Sequence, residues 1–289
     1  MRAKERMTDR DDARASATSY NGVMSAPETF QIPLEQAEMY EAKFVPALFA
    51  DWAPHVVEMG DVSAGHTVLD AACGTGIVAR TAAQRVGPDG RVVGVDLNQA
   101  MLTVAERACP GLEFRQADIT SLPFDDATFD VVLCQMALMF FPDRTAAIRE
   151  MGRVVKPDGT VVVMVPSSLD AQPAYRPLVE LTARHAGPDA VAMLSAYWAC
   201  GDLDELLGTT RDAGLEALST RTRMGTARFD SIDEFISVEV EGTPVRERLT
   251  DQEYDTVRRE ANRVLEEFVA ADGTARIPIE GHLVAARQL

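Results

Sequence analysis

Asp70-Ala-Ala-Cys-Gly74-Thr-Gly76 is the stretch on which the reading of this chain turns. A short apolar run, His66-Thr-Val-Leu-Asp70, leads into it, and a helical pattern from Ile77 to Val86 leaves it, closed by Gly87-Pro-Asp-Gly90. Two glycines let the backbone turn sharply and let a ligand approach with no Cβ in the way. The strand–turn–helix unit then repeats outward. Arg91–Asp96 reads as a strand, Gln99–Ala108 as a helix, 112–117 and 129–134 as strands, and Asp143–Val155 as a helix ended by Lys156-Pro-Asp-Gly159. Thr160–Val165 is a fifth strand. These strands are apolar throughout instead of alternating, so both faces are covered, and helices between them imply a parallel, doubly wound sheet with its ligand loops along one edge.

Two ligands use such a turn. Gly74-Thr-Gly76-Ile-Val-Ala79 fits the G-x-G-x-x-A pattern of a dinucleotide site, with Asp96 placed where an acid takes ribose hydroxyls, which makes a nicotinamide-dependent oxidoreductase one reading. Asp70 argues against it. A carboxylate ahead of the glycines repels a pyrophosphate and attracts a ligand with a cationic end, such as the ammonium and sulfonium of S-adenosylmethionine.

Val68-Leu-Asp-Ala-Ala-Cys-Gly-Thr-Gly76 resembles the first motif of class I S-adenosylmethionine-dependent methyltransferases, and four further stretches agree in order and spacing. They are Val93-Gly-Val-Asp96 with Leu97 to Met101, Arg115-Gln-Ala-Asp118-Ile119 with Leu122-Pro-Phe, Phe129-Asp-Val-Val-Leu-Cys-Gln135, and Val155-Lys-Pro-Asp-Gly-Thr-Val161. The pattern is most similar to the small-molecule branch called methyltransferase type 11 or ubiquinone-biosynthesis-like, and it spans roughly residues 60–166. The resemblance implies a mostly parallel seven-stranded Rossmann-like sheet with helical insertions forming a lid, and S-adenosylmethionine as cofactor. It further implies that Asp96 accepts from both ribose hydroxyls and that Asp118 and the Ile119 backbone N–H read adenine. Leu97 and Met101 would then pack on the adenine faces, and Ala71, Gly74 and Gln135 would hold the methionine end, with Gly76 completing the turn. Asp70 anchors that loop and Tyr40 covers it. The expected activity is methyl transfer to a small apolar or aromatic metabolite. A methyltransferase-fold cyclase or scaffold is the other alternative.

The rest of the chain bounds this reading. Residues 1–33 mix charge, Ser, Gly and Pro without periodicity and read as a mobile leader; 34–60 read as lid helices divided at Pro46 and Pro54, and 61–289 as the methyltransferase domain. Insertions at about 170–200 and 226–274 would build the substrate pocket. Ser231-x-x-Glu234 and Thr250-x-x-Glu253 are capping boxes, the second opening a helix with Tyr254, Val257, Ala261, Val264, Leu265 and Phe268 on one face. The acidic stretch near 230–273 reads as a solvated face. Phe44, Met139, Tyr175 and Tyr197 are candidate substrate contacts. His185 is the one histidine placed to act as a base, while His66 and His282 read as structural and His55 as part of a Pro-flanked loop.

A formal net charge of −17 disfavours nucleic acid and anionic membrane as partners. Cys73, Cys109, Cys134 and Cys200 form no CxxC pair and no Cys/His cluster, so neither a metal site nor a disulfide framework is expected. Without a membrane-length apolar run or a signal-like start, the expected compartment is the cytoplasm. Oligomeric state stays open, with a homodimer as the candidate.

Overall fold

The structure is a computed structural model, and it describes residues 32–187, 189–241 and 244–289. Seven strands form one sheet: β1 Thr67–Ala71, β2 Arg91–Asp96, β3 Glu113–Gln116, β4 Phe129–Gln135, β5 Val155–Pro166, β6 Leu215–Phe229 and β7 Ala275–Gln288. Their spatial order is β3-β2-β1-β4-β5-β7-β6. The first five run parallel, with Leu69 opposite both Val93 and Val132 and with Leu133 opposite Val162. β7 runs antiparallel to β5 and β6. The chain reverses between β1 and β4, so the loops after β1, β2, β3 and β4 meet at one crevice.

Residues of one strand alternate between two cores, which is why each strand reads as continuously apolar. Val68, Val131, Leu133, Val162 and Met164 pack under one helical layer, and Leu69, Val93, Val132, Val163 and Val165 under the other. The helices are α1 Leu34–Met39, α2 Ala50–Met59, α3 Ile77–Val86, α4 Gln99–Ala108, α5 Arg144–Val154, α6 Tyr175–Ala186, α7 Asp189–Leu194, α8 Leu203–Asp212, α9 Ile232–Ile236 and α10 Asp251–Val264.

Several expectations need correction. Pro46 and Pro54 do not divide residues 34–59, because Tyr40–Phe49 is a π-helical run joining α1 to α2. Its wide turns accommodate the ring of Pro46, and burial of Trp52, Ala53, Val56 and Val57 holds α2 through Pro54. His55 therefore lies on α2, not in a loop. The Lys156–Gly159 turn is an irregularity within β5, where the register against β4 jumps between Phe129 and Val131. The expected leader lies outside the described residues as far as residue 31; Ile32 is already buried beside Ala37, Met101 and Val104.

Among the capped helices, Thr250 forms the full reciprocal box with Glu253. Ser231 accepts from the Glu234 N–H, but the Glu234 carboxylate accepts from the Asp230 N–H in place of the cap's own. Val264 leaves the buried stripe and faces solvent at 44% exposure, whereas Tyr254, Val257, Ala261 and Leu265 are buried. No helix among the described residues is long and apolar enough to cross a membrane.

Helix α2 is fastened to β6 and β7 by one aromatic ring. Trp52 is fully buried against two glycines, and a Cβ on Gly225 or Gly281 would come within 2.8 or 2.9 Å of its indole. Only glycine leaves that approach open.

Candidate active site

A cavity of about 450 Å³ opens at the carboxyl ends of β1 to β4 and continues under the insertions. Its size suits a small molecule. Asp70, one residue before the end of β1, is almost fully buried, and its carboxylate accepts from the Ala79 N–H at 2.8 Å, tying the Gly-rich turn to α3. Burial, with the neighbouring Asp96 charge, pushes Asp70 up to about 7 against the pull of the Ala79 bond. Gly74 (φ +54°) and Gly76 (φ +86°) make the turn in left-handed backbone. Ala72 and Met136 also hold positive φ on the cavity wall, strained conformations for residues with a Cβ.

Asp96 spans the turn. Its Oδ2 accepts from the Gly74 N–H and its Oδ1 from the Asn98 N–H, both at 2.8 Å, while burial raises its pKa. The Leu97 N–H is a further partner of this carboxylate, so not every lone pair is open to a ligand. Asp118 is exposed at the rim, its Oδ1 accepting from both the N–H and hydroxyl of Thr120 at 2.8 and 2.7 Å. Leu97, Met101 and Ile119 complete that end. Gln135, at the end of β4, donates to the Phe49 carbonyl at 3.1 Å, and its Oε1 is buried with no hydrogen-bond partner.

Tyr40 leans over the turn. A Cβ on Gly74 would sit 3.8 Å from its ring, and it stacks on Phe44 and Phe49. Glu41 latches this segment to the same turn, accepting from the Thr75 hydroxyl at 2.6 Å and pairing with Arg80 at 3.0 Å.

The cavity therefore brings together Tyr40, Asp70, Gly74, Asp96, Leu97, Met101, Asp118, Ile119 and Gln135 with Phe44, Tyr175 and Tyr197. Ala71 and Gly76 shape the turn from behind the wall; Ala71 is fully buried, and Gly76 backs onto Cys109 and Phe114. Two candidates fall elsewhere. Met139 packs into the core with Leu138 and Ile148, because the 3-10 turn Leu138–Phe140 points Phe140 to the cavity instead. His185 sits near the carboxyl end of α6, with Nε2 3.9 Å from Glu260, and does not line the cavity. His282 is held by Thr222 and the Gly201 carbonyl.

Trp198, a candidate of the same region as Tyr175 and Tyr197, lines the cavity, and so does Glu239, which was not singled out. Ser-Val-Glu-Val-Glu at 237–241 reads as an acidic helix face; a π-helical run turns Val238 and Glu239 inward while Glu241 stays exposed. Among the described residues, no group of three or more His, Cys, Asp or Glu is placed to hold a metal ion.

Fold and turn define the class I methyltransferase architecture. Residues 69–163 match the family model described as a methyltransferase domain. The demethylmenaquinone methyltransferase of Lactobacillus johnsonii is 36% identical over 119 residues, covering 39% of this chain and 49% of that protein. The ubiquinone/menaquinone biosynthesis C-methyltransferase UbiE of Pseudomonas putida is 41% identical over 119 residues, 39% of this chain and 46% of that one. The chain thus spans about half the length of the curated relatives it matches. The YcgJ protein of Bacillus subtilis shares the fold over 82% of this chain and 98% of its own, with a TM-score of 0.54 and 22% identity.

Proposed function

We propose that this chain binds S-adenosylmethionine at the Gly-rich turn and transfers its methyl group to a small apolar or aromatic molecule. The carrying observation is the charge of the cavity: Asp70, Asp96, Asp118, Asp143 and Glu239 line it, and no Lys, Arg or His does among the described residues. A cationic ligand suits such walls and a pyrophosphate does not, which sets the nicotinamide alternative aside.

The residues present fit the cofactor. Asp96 keeps acceptor capacity toward the ribose hydroxyls; Asp118 and the Ile119 N–H stand at the rim for adenine, between Leu97 and Met101. The unpartnered Oε1 of Gln135 suits an ammonium donor, with the Ala71–Gly74 backbone and Asp70 behind it. When bound, the cofactor supplies a methyl group already activated by its sulfonium. The chain's own part is alignment and exclusion of water, for which Tyr40 and the apolar walls suffice. Tyr175, Tyr197, Trp198 and Glu239, beyond the matched residues 69–163, form the substrate wall of this reading. Relatives named for quinone biosynthesis put aromatic rings first among acceptors to try. A cytosolic location belongs to the same proposal.

Calorimetry with S-adenosylhomocysteine and with NADH tests the cofactor. Binding of the first alone is expected; binding of NADH alone overturns the reading. Methyl-labelled cofactor then tests transfer, and conversion of an acceptor without label in the product favours the cyclase alternative.

A further inference from the structure

The lining carboxylates differ in what they are doing. Asp70 holds the Ala79 N–H, Asp96 the Gly74 and Asn98 N–H groups, Asp118 that of Thr120 and Asp143 that of Ala146, so four of the five fix their own loop or helix. Glu239 instead has a side chain beside it, the Tyr175 hydroxyl, which favours its ionised form. It projects from the insertion, across the cavity from the Gly-rich turn, where its neighbours on the wall are Val238, Ile279, Tyr175, Tyr197 and Trp198.

Tyr175 is itself immobilised. Its ring meets Trp198 and Phe235 edge to face, with centroids 4.8 and 5.1 Å apart, and it is 4% exposed. A locked phenol thus stands beside a carboxylate that the insertion draws partly out of water. Keeping such a group without a salt bridge carries a substantial desolvation penalty, which a purely structural role does not recover.

We propose that Glu239 is the proton acceptor for the methyl acceptor, and that this substrate reacts through a weakly acidic hydroxyl, phenolic or enolic, on a body without anionic groups. The proposal rests on the methyl-transfer reading above. The acceptor's O–H bond breaks, the proton goes to a Glu239 carboxylate oxygen, and the electron pair stays on the acceptor as the nucleophile that takes the methyl group. The donor's sulfonium is left as a neutral thioether. Burial raises Glu239 to about 7, near the operating pH at which a general base is most effective. The titratable groups facing it are Tyr175 from α6 and Tyr197 from the turn at Ala196–Trp198; β7 and the lid present Ile279, Phe44 and Leu48.

An anionic acceptor would be repelled by an acid-lined, cation-free cavity. An amine fits less well, because a buried carboxylate stabilises its protonated form, which has no lone pair to attack with. Tyr175 is a positioning residue: its hydroxyl holds the Glu239 carboxylate and lowers its pKa.

The test uses the full chain, S-adenosylmethionine, and ring-substituted 1-naphthols of graded acidity beside the matching naphthylamines. Wild type is expected to methylate the naphthols. Glu239→Gln is expected to keep S-adenosylhomocysteine affinity and naphthol binding within about threefold by calorimetry while kcat falls about 10²- to 10⁴-fold. That deficit should shrink as the neutral naphthols become more acidic across the series. Tyr175→Phe guards against a misfolded Gln variant: its acid limb of kcat against pH should move to higher pH, since the lost hydrogen bond favoured the ionised carboxylate.

A uniform loss across the series, an unshifted limb in Tyr175→Phe, turnover of naphthylamines alone, or no turnover by wild type that binds S-adenosylhomocysteine would each overturn the proposal. Wild type that binds no S-adenosylhomocysteine would overturn the methyl-transfer reading beneath it.

Discussion

At the scale of single residues, two carboxylates stand at the proposed cofactor end, and they do different work. Asp96 closes the turn by accepting from Gly74 and Asn98 while offering its remaining lone pairs to the cavity. Asp96→Ala should weaken S-adenosylhomocysteine binding by about 10- to 100-fold in calorimetry, the range for losing charge-assisted hydrogen bonds. Asp70 makes a pH prediction. Its folded pKa of about 7 lies above its ordinary value of 3.8, so the native state holds a proton that the unfolded chain has lost. Ligand-free stability should therefore fall as pH rises from about 4 to 7 and level off above, with Glu239, also raised to about 7, acting in the same sense. A cationic ligand favours ionised Asp70, so its affinity should rise through the same window with proton release. Calorimetry in buffers of different ionisation enthalpy measures that release, and Asp70→Asn should reduce it. Asp70 and Asp96 were legible in the sequence because their position after a buried strand fixes where they point. Glu239 was not, because inward or outward in a five-residue π-helical run depends on a turn width that no residue pattern announces.

At the scale of elements, strands β1 to β5 and the helices between them follow from the sequence because each strand feeds two cores at once. The departures share one physical cause: tertiary packing overrode a local signal. Trp52 and its buried neighbours carried α2 through Pro54, and β4 kept the Lys156–Gly159 turn inside β5. Met139 and His185 were placed by proximity in sequence, and the rotation of a 3-10 turn and the length of α6 moved them off the wall. The latch at Glu41 is the element-level prediction. Glu41→Gln loses the Arg80 ion pair and weakens the Thr75 bond, so S-adenosylhomocysteine should dissociate several-fold faster in stopped-flow with little change in melting temperature.

At the scale of the molecule, the cavity lies between the parallel strands β1 to β4 and the helices that follow β5. The part matched by the family model, residues 69–163, holds the loops of the proposed cofactor site, while β7 and the segments after β5 hold the proposed acceptor wall. The two halves are pinned by Trp52, which reaches from α2 to the glycines of β6 and β7. Trp52→Ala should destabilise the fold by about 3–5 kcal/mol in denaturant titration, the range for emptying a large aromatic site. Substituting Gly281 with Val, by contrast, would force the indole out without removing it. The same pin has a kinetic corollary. With α2 nailed down at one end and the preceding wide-turned coil stitched to the phosphate-free turn by a single glutamate, traffic through the mouth depends on how readily that stitch parts. Background electrolyte loosens partly exposed ion pairs, so added salt should speed product escape even as the scaffold stays put.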